Sequence, residues 1–317
     1  NRMKYIVLFF LSITTLWAQD TTTTKRYHYK VWIKPSLSIN YLAVDIEDSP
    51  ININLKNKTI LPNYPLTMGL GLGVHNTYVN LDYARGLMPL RNENKYGKTS
   101  YFDFQIHSFI SNKFLLDLYY QSYKGFYYEN GQNIHLLKDA RVQQIGSEFL
   151  YFTKWRETSL KNIFNPEGNR LKPLFSFYVG GGVFYHKLSL PLIDPDRTDD
   201  FKHIQTGLSG GVANLWQIAP NLTFSGLVGL GFYFGGETAP ISKMKINQYV
   251  NFRYNIALTY KIKNSTIDFS ILHNNKRVYF NNSDLVSIKN STFRISFTQQ
   301  LNVTTRHNNK VMRFLGM

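Results

Sequence analysis

The sequence predicts an all-β fold: a transmembrane antiparallel up-and-down β-barrel of about twelve strands, after an N-terminal signal peptide. Segments of about 10 to 15 residues alternate between apolar and polar side chains, whereas strands of soluble proteins usually run about 5 or 6 residues. Short and long connections between these segments also alternate, as in outer-membrane barrels. Finally, the chain is rich in Tyr (22) and Phe (23) and only 18% charged, which is low for a soluble protein.

The first residues predict a targeting segment. An apolar run from Tyr5 to Leu11 follows Met3-Lys4, and cleavage is expected after Ala18. The run is shorter than the ~20 residues with which a helix crosses a bilayer. We therefore expect four parts: a signal peptide at 1–18, an N-terminal lead at 19–35, the barrel at 36–301 and a periplasmic tail at 302–317.

Twelve segments have the period-two alternation that places successive side chains on opposite faces of a strand. They are Ser36–Ile46, Leu66–His75, Thr77–Leu87, Ser100–Ile110, Lys113–Phe126, Asp139–Phe152, Leu174–Leu188, His203–Gln217, Asn221–Gly235, Gln248–Lys261, Ser265–His273 and Ser291–Leu301. After the signal peptide, no apolar run reaches the ~18 residues of a membrane-spanning helix, so strands alone are predicted to cross the membrane.

The connections between these segments predict the orientation of the barrel. They are short at 76, 111–112, 218–220 and 262–264, and long at 47–65, 88–99, 127–138, 189–202, 236–247 and 274–290. Both termini then lie on the short-turn side, which is predicted to face the periplasm. The stretch 153–173 is the exception, long on that side. It is expected either to add a small hairpin (Glu157–Phe164) below the barrel or to fold into the lumen.

The hairpin over residues 97–128 shows the two walls most clearly. One wall is apolar and is predicted to face lipid. It carries Phe102, Phe104, Ile106, Phe114, Leu116 and Leu118. The other wall carries Asp103, Gln105 and Asp117, which are predicted to face the lumen, and the turn at Ser111-Asn112 is predicted to face the periplasm.

Polar and ionisable side chains on the predicted inner wall are the candidate functional residues. They are Asp82, Asp103, Gln105, Asp117, Arg141, Arg253, Asp268 and Arg294, with His107 and Glu148 as further candidates. Acids and bases from different strands can pair across a filled lumen, since an unpaired buried charge is unfavourable. Alternatively, the same groups line a polar channel or a binding cavity.

Composition and spacing argue against several kinds of site. The chain has no Cys and therefore no disulfide, thiolate ligand or Cys nucleophile. His107 and Ser108 are neighbours on a strand and point to opposite faces, so they make no nucleophile–base pair. The His residues show no metal-ligand spacing. We expect no catalytic residue, no metal and no cofactor.

The charge predicts the kind of partner. The net charge is +16, but the Lys and Arg residues are scattered rather than clustered. Scattered basic groups are typical of loops and rims that face anionic headgroups or solvent. We expect outer-membrane lipid and lipopolysaccharide as partners, with proteins of the envelope as further candidates, and no nucleic acid.

Several motifs resemble a known family. They are Gly97-Lys98-Thr99 with Tyr101, Asp103 and Gln105, Lys113-Phe114 with Asp117, and Tyr123-Lys124-Gly125-Phe126-Tyr127. With these residues the chain resembles a family of uncharacterised outer-membrane β-barrel proteins of Bacteroidota, known as a domain of unknown function. The resemblance covers roughly residues 30 to 300. It implies a barrel in the bacterial outer membrane and no particular activity.

Three classes of function follow from these observations. The first is a structural or transport role, as a narrow pore, a ligand-binding barrel or a component of an envelope assembly. The second is a lipid-modifying enzyme of the outer membrane. The third is a secreted soluble β-sandwich that binds a ligand, because a sandwich also alternates polar and apolar residues.

Overall fold

The structure is a computed structural model. It describes residues 27–47, 55–64, 66–74, 76–85, 90–111, 113–154, 161–164, 171–191, 198–237, 249–280 and 284–305. The predicted signal peptide lies outside these residues. So does most of the predicted periplasmic tail.

The described residues form strands and two short helices. The strands are β1 (Tyr27–Ile46), β2 (Lys58–Leu61), β3 (Leu66–Val74), β4 (Thr77–Arg85), β5 (Ser100–Phe109), β6 (Phe114–Asn130), β7 (Asn133–Phe152), β8 (Leu174–Pro191), β9 (Thr198–Ala219), β10 (Leu222–Glu237), β11 (Tyr249–Ile262), β12 (Ser265–Phe280) and β13 (Asp284–Thr305). The helices are α1 (Glu93–Tyr96) and α2 (Lys161–Phe164). No helix in this part of the chain is long and apolar enough to cross a membrane.

All strands belong to one antiparallel sheet that closes on itself. β1 pairs with β13 from Tyr27 opposite Thr305 to Ile46 opposite Val286. The ring then runs through β3, β4, β5 and on to β13, which makes twelve strands. The predicted barrel is confirmed. The alternative of a β-sandwich is wrong, because a sandwich needs two packed sheets and these strands form a single closed one.

Several strands are longer than predicted. β6 and β7 continue to a two-residue turn at Gly131-Gln132, so the predicted loop at 127–138 is a hairpin instead. β8 and β9 likewise extend into 189–202, and β12 and β13 into 274–290. β1 begins within the predicted lead, and β13 ends within the predicted tail. The loop side of the barrel therefore projects further than the sequence predicts.

On the loop side, the short strand β2 occupies the place in the wall that β3, β4 and β5 are too short to reach. β3, β4 and β5 have 9, 9 and 10 residues and do not reach the height of the β6–β7 hairpin. Above them, β2 pairs with β1 at Val44–Ile46 and with β6 at Tyr127 and Tyr128. The wall is thereby continued across the gap from β1 to β6.

An exposed apolar band surrounds the middle of the barrel. Large side chains there are about half exposed or more, for example Phe177 (56%), Leu208 (73%), Phe232 (60%) and Phe293 (50%). On β10 the band runs from Phe224 to Phe234, ten steps along one strand. That length gives about 26 Å along the axis at ~3.4 Å per residue and a tilt of about 40°. Membrane-spanning barrels carry an apolar band of about 25 Å.

The apolar face changes sides along the strands. On the part of β1 nearer the turn side, Ile39 and Tyr41 point outward, while Ser38 and Asn40 point inward and are only 1% and 0% exposed. From Leu42 onward the buried residues are apolar, and the outward Asp45 pairs with Lys289 Nζ at 2.7 Å. An apolar exterior suits lipid, and an apolar interior with a charged exterior suits water. The reversal at residue 41 therefore marks the boundary of the apolar band.

Among the described residues, two large apolar clusters occupy the interior at different heights. The loop-side cluster comprises Leu42, Val44, Ile46, Leu55, Ile60, Tyr101, Tyr123, Phe126, Ala140, Val142, Leu188, Leu190, Val286 and Ile288. The turn-side cluster comprises Phe109, Leu115, Leu150, Phe152, Ile163, Leu174, Tyr178, Ala213, Leu215 and Leu227. Ile163 comes from α2, so the described residues 161–164 of the stretch 153–173 form a helix that packs against the barrel interior. Residues 157–160 of the predicted Glu157–Phe164 hairpin lie outside the described residues.

The reversal predicts a difference in chemical accessibility on β13. Lys289 and Ile295 both point outward and are each about 50% exposed. In a bilayer, Lys289→Cys should react quickly with a water-soluble maleimide, and Ile295→Cys about tenfold or more slowly, because hydrocarbon excludes the reagent. The natural chain has no Cys and adds no background. Equal rates in vesicles would show that no lipid covers Ile295.

Candidate functional site

The interior between the two clusters is polar and carries buried charges. One group is centred on Arg294 of β13, which pairs with Asp82 of β4. Arg294 Nε also donates to Ser38 Oγ at 3.0 Å. Asp82 is 2% exposed and lies opposite Asp103 of β5 in the strand register. The guanidinium offsets the repulsion between these two neighbouring carboxylates.

Asp103 is held by neutral donors. Its Oδ2 accepts hydrogen bonds from Tyr101 Oη (2.7 Å), Gln105 Nε2 (2.8 Å) and Gln121 Nε2 (3.0 Å). All four residues are buried. These three donors replace the water that Oδ2 loses on burial, whereas Oδ1 has no partner among the described residues.

A second group is centred on Arg253 of β11. Arg253 pairs with Glu148 of β7 and lies 3.9 Å from Asp117 of β6. Asp117 Oδ1 is 2.7 Å from His107 Nδ1, and Ser209 Oγ donates to Glu148 at 2.9 Å. Five strands thus meet through one chain of hydrogen bonds and ion pairs.

A third group surrounds Asp268 of β12. Lys34 Nζ lies 3.4 Å from its Oδ2. The hydroxyls of Thr259 and Thr298 donate to the carboxylate at 2.7 and 3.2 Å. The predicted residues Asp82, Asp103, Gln105, Asp117, Arg253, Asp268 and Arg294 are therefore all placed in the interior, in three neighbouring groups.

Arg141 is placed elsewhere. On β7, Val142, Gln144 and Glu148 are buried, and Arg141 alternates with them, so it lies on the outward face. Its prediction as an inner-wall residue is wrong because the polar face changes sides along β7. Ile145 lies on the outward face and is 49% exposed, whereas the outward residues of β7 nearer the loop side are polar.

Glycines on the inner wall make room for tyrosine rings. A Cβ added at Gly229 would lie 1.8 Å from Tyr178 Oη, and one at Gly146 would lie 2.3 Å from the ring of Tyr119. The sequence predicts only that glycine-rich strands leave a thin wall. The structure adds that tyrosines from other strands, Tyr119 of β6 and Tyr178 of β8, fill the space.

Between these groups lies a cavity of about 210 Å³. Its lining includes amides, aromatic rings and the ion pairs described above. The amides are Asn80, Gln105, Gln121, Asn251, Asn255, Asn274 and Asn290, and the aromatic residues are Trp32, Tyr78, Tyr119, Tyr178, Phe184 and Tyr233. Asn251 is 6% exposed, and neither its Nδ2 nor its Oδ1 has a partner among the described residues.

A cluster of tyrosines holds the β4–β5 connection on the loop side. Arg91 lies 5.0 Å from the ring centroid of Tyr96, and its Nη1 donates to Tyr127 Oη at 2.7 Å. Tyr64, whose ring is 5.7 Å from Arg91, stacks on Tyr41 at 3.9 Å. Burial raises the pKa of Tyr127 to about 12. This hydroxyl therefore stays protonated at neutral pH.

His107 and Ser108 lie on opposite faces of β5. His107 bonds Asp117 inside the barrel, whereas Ser108 lies on the other face and bonds Thr77 Oγ1 at 2.9 Å. Across the described ranges, no group of three or more His, Cys, Asp or Glu residues is arranged to hold a metal ion.

Comparison with known proteins gives a family and a set of similar structures. The family described as "Domain of unknown function (DUF4421)" matches residues 18–299. No curated protein matches the sequence.

Three of the similar solved structures are of distant sequence. The translocator domain of autotransporter NalP from Neisseria meningitidis is 8% identical, with 95% of each chain covered and a TM-score of 0.46. The beta domain of the Bordetella autotransporter BrkA is 8% identical, with 85% of this chain and 99% of that chain covered and a TM-score of 0.39. The outer membrane protease OmpT from Escherichia coli is 6% identical, with 90% and 100% covered and a TM-score of 0.34.

The buried Asp82–Arg294 pair predicts a large loss of stability when one partner is removed. Asp82→Ala leaves Arg294 without its carboxylate in the interior and should lower the free energy of unfolding by about 3–5 kcal/mol. Replacing Arg294 by Met in the same variant should restore much of the loss. Lys124→Ala, which breaks the exposed pair with Asp139, is the control and should change it by less than about 1 kcal/mol. Urea titration of the barrel measures each value, and equal losses in the two single variants would contradict the pairing.

Substitution by Ala is expected to have different effects on stability at two glycines of the wall. Gly229→Ala places a methyl group against Tyr178 and should destabilise the barrel by about 1–3 kcal/mol. Gly210→Ala should be nearly neutral, because its nearest atom would be 3.5 Å away. Adding Tyr178→Phe should recover part of the loss at Gly229. The same urea titration decides, and an unchanged midpoint for Gly229→Ala would refute the packing.

Proposed function

The chain belongs to the family described as a domain of unknown function (DUF4421), and this description names no activity, so we propose a role from the interior of the barrel. The proposed role is a closed barrel that holds a small polar solute. Apolar clusters lie at the loop side and the turn side of the polar interior, and the cavity lies between them. A general pore would instead need a continuous polar path. This arrangement of the clusters is the observation that carries the proposal.

The charges in the interior support the same role. The pairs made by Arg294, Arg253 and Lys34 each join strands that are not neighbours in the ring, such as β4 with β13 and β7 with β11. Breaking such a pair leaves an uncompensated buried charge, which is strongly unfavourable. The pairs therefore keep the middle of the barrel narrow and leave a chamber beside them.

We place the protein in the bacterial outer membrane, with a source among the Bacteroidota. The apolar band of about 26 Å supports a membrane location, because outer-membrane barrels carry a band of similar height. The resemblance carried by the motifs between Gly97 and Tyr127 supports the source. On this proposal the short turns face the periplasm, and the loop side meets lipopolysaccharide.

The closed state predicts that neither cluster alone controls ion flow. In planar bilayers the natural protein should show no steady conductance. Leu42→Ala with Phe126→Ala thins the loop-side cluster, and Phe152→Ala with Ile163→Ala thins the turn-side cluster. Each pair alone should stay silent, since the other end remains filled, and the combined variant should conduct in discrete steps.

A heat-dependent shift in gel migration serves as the folding control for every variant. Steady conductance by the natural protein would refute the proposal. A folded combined variant that stays silent would also count against it, because the two clusters would then not be what closes the barrel.

A further inference from the structure

The chamber has the chemistry of a specific site. We propose that it binds a small neutral solute rich in hydroxyl groups, of the size of a single sugar ring, with Asn251 as a principal recognition residue. This inference rests on the proposed function, because it assigns a ligand class to the same chamber.

Its size limits the ligand. The volume of about 210 Å³ is more than tenfold what one water needs, about 10–15 Å³. It is smaller than the pockets of about 300–1,000 Å³ that hold drug-sized molecules. A single ring with its substituents fits between these limits.

The charges favour a neutral ligand. The cations that line the chamber are engaged: Arg253 with Glu148, Arg294 with Asp82 and Lys34 with Asp268. A charged ligand would have to break one of these pairs or enter without a counter-ion, and either change is strongly unfavourable in a buried site. A neutral ligand leaves all three pairs intact.

The amide of Asn251 supplies hydrogen-bonding capacity for hydroxyl groups. Its Nδ2 can donate and its Oδ1 can accept, and both atoms lack a partner among the described residues. Buried polar groups nearly always have partners, so this pair of atoms calls for one. Two adjacent hydroxyls, each both donor and acceptor, match the two amide atoms.

Aromatic rings supply the other half of the recognition. Tyr233 lies beside Gly231, the strand partner of Asn251, and its ring centroid is 5.1 Å from that of Phe184; both rings line the chamber. Their faces are apolar and suit the C–H face of a sugar ring, while their edges leave the hydroxyls free to reach the amides. Flat apolar walls with planar amides between them would reject a chain-like apolar solute.

The test is equilibrium dialysis of the purified full chain in detergent. The probes are radiolabelled neutral hexoses, with a uronic acid and an amino sugar as charged probes of similar size. At least one neutral hexose should bind saturably. Each charged probe should have a Kd at least about tenfold higher, which corresponds to a loss of ~1.4 kcal/mol in binding free energy. Long equilibration is needed because the ends of the chamber are filled.

A pair of variants locates the site. Asn251→Leu keeps a similar volume but removes both amide atoms, and it should weaken hexose binding about tenfold or more. Asn214→Leu is the matched control, because Asn214 lies on the outward face of β9 and does not line the chamber. It should leave binding unchanged, and both variants must keep the heat-dependent gel shift of the natural protein.

Three results would overturn the inference. They are binding of the charged probes as tight as that of the hexoses, hexose binding untouched by Asn251→Leu, and no binding of any hexose. The bilayer experiment stands apart from these results. If the natural protein shows no conductance and binds no hexose, the closed barrel stands and this ligand class is refuted. If the natural protein conducts ions, the closed barrel itself is refuted.

Discussion

The pairing of β1 with β13 is the interaction on which the rest of the structure depends, because it removes both free edges of the sheet. In a bilayer every backbone N–H and C=O must find a partner within the protein. The pairing runs over nearly the full length of both strands, so few backbone groups at the seam are left open. Closure also fixes what is inside, since each strand then has one inward and one outward row.

Closure leaves an interior that must be filled by side chains of the wall itself. Arginine reaches across to carboxylates on distant strands, as Arg294 does to Asp82. Tyrosine reaches over glycine, as Tyr178 does at Gly229. Both kinds of contact join strands that are far apart in sequence, and both leave limited space at the centre. The chamber is the part of the interior that these side chains do not fill.

The membrane part of the fold follows directly from the sequence, and the parts above it do so less well. Phe102, Phe104 and Ile106 alternate with buried polar residues, and that alternation predicts their strand and its outward face. Residues 127–138 contain Glu129, Asn130 and Gly131, whose polar character resembles a loop, and only the register shows a hairpin. A switch of the apolar residues from odd to even positions, Ile39 and Tyr41 followed by Leu42 and Val44, is visible in the sequence. A similar switch on β7, from Ala140 and Val142 to Ile145 and Phe149, accounts for the outward position of Arg141.

The interior contacts could be predicted only in part. Asp82 and Arg294 are recognisable as inner-wall residues, but 212 positions separate them. Their pairing depends on the register of the strands between them and on the room at Gly69, where a Cβ would lie 1.8 Å from Asp82 Oδ1. The cavity depends on the sizes of side chains from many strands at once. The sequence of a single strand therefore does not predict the size of the cavity.

The change of the apolar face along the strands also fixes how deep the barrel sits. Sinking by two residues would bring Asp45, Lys289 and Arg141 toward hydrocarbon, and rising by two would lift apolar side chains such as Ile39 into water. A charge at the bilayer centre costs about 2.5 kcal/mol or more, although less near the surface. Thickness mismatch must therefore be absorbed by the lipid, which thins or thickens around the barrel. The protein would prefer membranes whose hydrocarbon matches its band.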